Sequence, residues 1–218
     1  MKGNVEDPLL KYNTKNNPKT GGILVGGLLV ESLQVIIYAL AMSVVIYLFI
    51  AIPNQVEGLS MHPNLDSGDI LLTNKFIQIG GGKENLIESY DYERGDMVVF
   101  KQPNRPDLVK RIVGMPGESF KIENGRVYID GQVLIEDYLP EDVATEPGRF
   151  LQEGREKTIP PDSYVVLGDN RSNSRDSRTL EVGFVKREHF KGRPFLRILP
   201  LDNASLIRTG EYRFSNDT

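Results

Sequence analysis

Residues 33–52 (LQVIIYALAMSVVIYLFIAI) carry one strongly polar side chain, Gln34, and this run limits what the rest of the chain can fold into. At a rise of about 1.5 Å per residue, roughly twenty helical residues cover about 30 Å, the thickness of a bilayer's hydrocarbon core. Pro53 closes the run. A buried core helix is normally shorter and amphipathic, and the apolar part of a cleaved signal peptide spans only about 7–15 residues. The run therefore reads as an uncleaved transmembrane anchor. Residues 1–21 before it are polar and aperiodic, made basic by Lys2, Lys11, Lys15 and Lys19, and read as a disordered tail. The short apolar block at 23–30 is weakened as a helix by Gly26 and Gly27 and ended by Glu31. Lysines ahead of the anchor, with no basic cluster just after it, place the N-terminus in the cytoplasm. The expected organisation is a cytoplasmic tail and Gly-rich lead-in at 1–32, the anchor at 33–52, and an extracytoplasmic domain at 53–218, in a periplasm or lumen.

Beyond Pro53 the pattern changes to short β-rich runs broken by Gly, Pro and Asn. Strands are expected at 69–76, 96–101, 108–113, 119–122, 126–129, 163–167 and 195–199, with Asn124-Gly125 as a hairpin turn. No long amphipathic helix interrupts them. The fold class is therefore mainly β, an antiparallel sheet domain behind a single N-terminal transmembrane helix. Two stretches, 78–93 and 136–157, read as loop insertions. The first contains Gly80-Gly81-Gly82-Lys83, which lacks the rest of a phosphate-loop pattern.

Composition removes several chemistries. A net charge of −4 offers no basic face for nucleic acid. The absence of cysteine excludes a cysteine nucleophile, a thiolate metal site and any disulfide. With only His62 and His189, a zinc site built on several histidines is excluded too, and no metal or cofactor is expected.

A serine hydroxyl needs a base to become a nucleophile. Ser60, in Gly58-Leu59-Ser60-Met61-His62-Pro63-Asn64-Leu65, has His62 too close in sequence for good geometry, and His189 lies in a charged segment. Lysine can serve only if burial lowers its pKa from about 10.4, because the charged form then loses hydration. In Leu108-Val109-Lys110-Arg111-Ile112-Val113, period-two alternation sets Lys110 on one face with Leu108 and Ile112. A lysine between aliphatic neighbours on a strand face is unusual. A third stretch, GDNRSNSRDSR at 168–178, follows an apolar strand and is crowded with short hydrogen-bonding side chains.

Together these stretches resemble the bacterial type I signal peptidases, Ser-Lys proteases of the inner or thylakoid membrane. SMHPNL is similar to the family's Ser-Met-x-Pro-x-Leu box, SGDILLTNK to its Gly-Asp-x-Leu box, RGDMVVF with LVKRIVGMPGE to its lysine box, and GDNRSNSRDSR to the last. They follow the family's order from about Gly58 to Phe184. The resemblance implies Ser60 as nucleophile, Lys110 as general base and Ser174 as the hydroxyl that orients the amine. It also implies Asp176 and Arg178 as a structural pair, and the Ser60 N–H as an oxyanion donor. Gly58 stands where some members place a second, serine donor. The implied activity is removal of signal peptides from exported preproteins, with small residues at −1 and −3 (the Ala-x-Ala pattern), by a single-pass protein of a plasma or thylakoid membrane. The rival from another class is a catalytically silent, anchored β domain that only binds partners. A further expectation is that Phe76, Ile77 and Phe100 form an apolar face that dips into the bilayer.

Overall fold

The computed structural model describes residues 18–49, 51–74 and 91–215. The segments 1–17 of the tail, Gly80 to Lys83, and Phe76 and Ile77 lie outside the described residues. The chain divides into two units, residues 1–45 and 46–218.

Helix α1 runs Pro18–Phe49, longer than expected and unbroken at Glu31. Ser32 Oγ donates to Leu28 O at 2.7 Å, so the turn on either side of Glu31 is continuous. An apolar segment finds partners for its backbone groups only within the helix, and this outweighs the glycine penalty that predicted a break. Residues Gly27–Val45 are long and apolar enough to cross a membrane and have no buried side chains, as a membrane anchor requires. The expected end of the anchor at residue 52 is corrected: Ala51 and Ile52 belong to strand β1 (Ala51–Gln55), paired with Asn74 and Thr73. Pro53 sits in that strand, where an edge position tolerates its missing N–H.

All strand pairings are antiparallel among the described residues. The larger sheet follows the order β1, β2 (Ile70–Asn74), β11 (Phe190–Leu199), β3 (Met97–Gln102), β4 (Arg105–Gly114), β9 (Ser163–Leu167), β10 (Val185–Lys186), with β12 (Ser205–Leu206) beside β11. The smaller sheet runs β13 (Tyr212–Ser215), β7 (Gln132–Glu136), β6 (Arg126–Ile129), β5 (Ser119–Glu123), β8 (Lys157–Thr158). The turn between β5 and β6 has both Asn124 and Gly125 at positive φ, the conformation that a tight hairpin requires.

Alternation along the strands of the larger sheet sorts the core. Val98, Phe100, Leu108, Ile112, Tyr164 and Val166 share one cluster. Their sequence neighbours face elsewhere: Met97, Val99 and Val109 pack with Met61 and Leu65, while Val113, Val165 and Leu167 pack with the smaller sheet. Phe100 is 2% exposed, so the expected bilayer-dipping role is corrected for it: the ring fills the core. The stretch 137–156 is a loop of turns, yet Leu151 and Thr145 within it are buried.

Candidate active site

Ser60 stands at the start of a turn that two apolar side chains pin down. Met61 and Leu65 are buried in one cluster with Val109, and Leu65 N–H donates to Met61 O at 2.9 Å, closing a single helical turn. The Met and Leu of this box are therefore anchors, and the serine beside them is presented by their burial. Asn170 holds the same turn from the other side. Its N–H donates to Ser60 O at 3.0 Å and its Nδ2 to Leu59 O at 3.1 Å.

Lys110 lies on β4 opposite Val98 of β3, with parity that groups it with Leu108 and Ile112. It is 1% exposed. The amine donates to Ser60 Oγ at 2.6 Å and to Val109 O at 2.8 Å. Burial holds its pKa down from 10.5 to about 8, against the opposing pull of Asp176 and Asp169 and with some help from Arg175. A strand lysine and a turn serine separated by fifty positions are thus brought into hydrogen-bond contact.

The last box closes the site from beneath. Asp176 and Arg178 form a buried bidentate pair, Nε to Oδ1 and Nη2 to Oδ2, each at 2.8 Å. Gly168 N–H also donates to Asp176 Oδ2 at 3.0 Å. The Arg178 guanidinium and these donors keep the Asp176 carboxyl below its ordinary range despite its burial. Ser177 ties the returning segment to β9: its N–H donates to Val166 O at 3.0 Å and Val166 N–H donates to Ser177 Oγ at 2.9 Å. Ser174 Oγ is buried and makes no hydrogen bond to the amine, so the expected bond is not formed; the amine donates to Val109 O instead. The Ser174 hydroxyl still lies near enough to Asp176 to favour its charged form.

A Cβ on Gly168 would meet Ser174 Oγ at 2.1 Å and Ser60 O at 2.5 Å, so only glycine lets this loop lie against the serine turn. Gly58 has φ +81 and donates its N–H to Ser67 Oγ at 3.2 Å. Its left-handed backbone, with open space around it, explains the glycine. The Ser60 N–H makes no hydrogen bond among the described residues. His62 pairs with Asp66 at 2.8 Å on the surface, and His189 is half exposed beside Glu188.

Sequence reasoning missed Asp169 and its partners. Arg111, on the face of β4 opposite Lys110, donates Nε to Asp169 Oδ1 at 2.9 Å and Nη2 to Asp169 Oδ2 at 2.6 Å. Asn64 Nδ2 donates to the same Oδ2 at 2.8 Å. Asp169 thereby joins the serine, lysine and last boxes in one buried knot. Arg171 is likewise paired with Glu136 at the end of β7 and donates to Thr145 Oγ1, and Arg178 Nη1 donates to Glu146 O at 3.1 Å, so the loop 137–156 is fastened to the same region. The signal available was charge parity: Arg111 alternates out of phase with Lys110, and a buried arginine demands a carboxylate.

The family model described as signal peptidase, peptidase S26, matches residues 29–199. The chain belongs to that family. Known relatives include the probable signal peptidase I-2 of Synechocystis sp., 34% identical over 184 residues, covering 80% of this chain and 75% of the relative. Signal peptidase I P of Bacillus subtilis subsp. natto is 30% identical over 178 residues, covering 80% and 91%. Signal peptidase I of Leptolyngbya laminosa is 35% identical over 187 residues, covering 80% and 81%. Membership carries signal peptidase I activity, that of a serine peptidase. Preproteins are the substrates this activity implies.

Two outcomes follow from the packing. Gly168→Ala should cut peptidase activity by at least about tenfold, because the added carbon displaces the Ser60 turn by more than reactive geometry tolerates; unchanged kcat would contradict this. Lys110→Met should alter how stability depends on pH. The folded pKa lies below the unfolded one, so the burial penalty is full below pH 8 and vanishes above 10.5. That penalty is about 3 kcal/mol. Relative to Lys110→Met, the wild-type chain should therefore gain stability as pH rises through this window, read as converging unfolding midpoints.

Proposed function

We propose that Ser60 and Lys110 are the nucleophile and general base with which this peptidase removes signal peptides from preproteins. The observation that carries the reading is the 2.6 Å contact between Ser60 Oγ and an amine whose burial holds its pKa to about 8. A neutral amine accepts the Ser60 proton as Oγ attacks the scissile carbonyl. The free Ser60 N–H supports the oxyanion, and the resulting ammonium protonates the leaving amine. Lys110 then activates the water that releases the acyl group. Asp176 and Arg178 hold the loop beneath the pair. Ser174 would orient the amine when substrate displaces its bond to Ser60. The Gly58 region would line the oxyanion side of the serine turn.

The apolar helix suits an anchor with the N-terminus in the cytoplasm and the β-rich unit outside, on the periplasmic or lumenal side of a plasma or thylakoid membrane. Tethering at a bilayer raises the effective concentration of the site near a membrane-embedded substrate. A silent binding domain would have no need of a buried lysine joined to a serine hydroxyl.

The test uses the detergent-solubilised chain and a preprotein with an Ala-x-Ala site. Ser60→Ala and Lys110→Ala should each abolish cleavage, and His62→Ala should retain it. Wild-type kcat should rise with pH through a midpoint near 8 as the amine loses its proton. A dead His62→Ala, or an active Lys110→Ala, would overturn the assignment of the base.

A further inference from the structure

The family model stops at residue 199, yet the chain continues in order through residue 215, and this last segment returns beneath the catalytic pair. It leaves β11, pairs briefly as β12, crosses the face of β4 opposite Lys110, and ends as β13 on the edge of the smaller sheet. Three contacts along it concern the neighbours of Ser60 and Lys110. Ile207 packs against the cluster that contains Met61 and Val109, the residues next to the nucleophile and the base. Thr209 Oγ1 donates to Asp96 Oδ1 at 2.7 Å, on the turn that enters β3. Gly210 N–H donates to Gly95 O at 2.9 Å, the same carbonyl that accepts Arg111 Nη1 at 2.7 Å.

The approach at Gly95 and Gly210 leaves no room for side chains. A Cβ on Gly95 would meet Gly210 O at 2.2 Å; one on Gly210 would meet the Tyr138 ring at 2.4 Å and Arg111 Nη1 at 2.8 Å. Tyr138 in turn lies against the Arg111 guanidinium, 4.1 Å from its ring centroid. Two facing glycines thus seat the segment directly on Arg111, whose Asp169 partner also binds Asn64 of the serine box. We propose that residues 205–215 form a positioning strap for the catalytic pair, with Gly210 as its seat on Arg111. The strap keeps water from the Arg111–Asp169 knot and fixes the strand from which Lys110 projects.

The inference rests on the Ser60–Lys110 reading but makes a separate prediction. Lys110 faces Asp176 and Asp169, which favour its charged form, and Arg175, which opposes it. Arg111 faces Asp169, Glu136 and Tyr138. A lifted strap hydrates the knot and weakens the hold of Arg111 on Asp169. Both effects favour the ammonium form of Lys110 and delay its deprotonation to higher pH.

The experiment compares pH–rate profiles of the full-length, detergent-solubilised chain on one Ala-x-Ala preprotein. Gly210→Ala adds a carbon at the seat, Thr209→Val removes the tie to Asp96 without changing its shape, and Leu201→Ala alters an exposed residue outside the strap. The first two should move the profile's midpoint upward by about one pH unit, with kcat at pH 7 falling roughly tenfold and KM little changed. Leu201→Ala should match wild type. Should Gly210→Ala fail to fold, Thr209→Val decides. Activity lost with the midpoint unmoved, or both variants matching wild type, would overturn the strap's role. A wild-type profile with no midpoint near 8 counts instead against Lys110 as base, so the two failures are distinguishable.

Discussion

Burial of the Lys110 amine is the constraint on which the proposed catalytic pair depends, because a lysine in water is protonated and can accept nothing from a serine. Excluding water at one amine requires side chains on every side of it, and the surrounding charges must not restore the ammonium. Asp169 and Asp176 both lie close enough to do so. Each is instead committed to an arginine, Asp169 to Arg111 and Asp176 to Arg178, in buried bidentate pairs. A buried ion pair contributes little net stability, since desolvation offsets its Coulomb energy. Paired as they are, both carboxylates still pull the Lys110 pKa upward, and burial of the amine outweighs that pull.

Packing then carries the geometry. Alternation along β3, β4 and β9 directs successive residues to different clusters, so Lys110 and Arg111 project to opposite faces of one strand. Met61 and Leu65 bury themselves next to Val109 and bring Ser60 to the amine. Gly168 lets the last box lie against the serine turn, and Gly95 with Gly210 lets the terminal segment lie against Arg111. These glycines are explained by close approach, whereas Gly58 is explained by its backbone conformation.

Much of this was legible in the residues. The period of two in LVKRIV separated Lys110 from Arg111, and Asn124-Gly125 located the hairpin. The apolar run announced the helix, although its ends did not follow. Local propensity started it after Glu31, at Leu33, and carried it on to Ile52, whereas backbone pairing extends it from Pro18 and gives Ala51 and Ile52 to a strand. The short strands β8, β10 and β12 are two residues each and leave no periodic trace. Asp169 could not be assigned because its partners, Arg111 and Asn64, lie 58 and 105 positions away. Ser174 shows the converse: the motif named it, and it lies beside Gly168 together with Ser60 O, but which acceptor the amine selects is set by side-chain geometry.

Direct titration of the Lys110 amine tests the central claim most directly. NMR of isotope-labelled lysine side chains in the detergent-solubilised chain, with the signal assigned by its loss in Lys110→Arg, follows that proton without relying on turnover. A midpoint near 8 is the predicted result. A midpoint near 10.5, the value of a lysine in water, would mean that the amine is charged at neutral pH and that another group must activate Ser60.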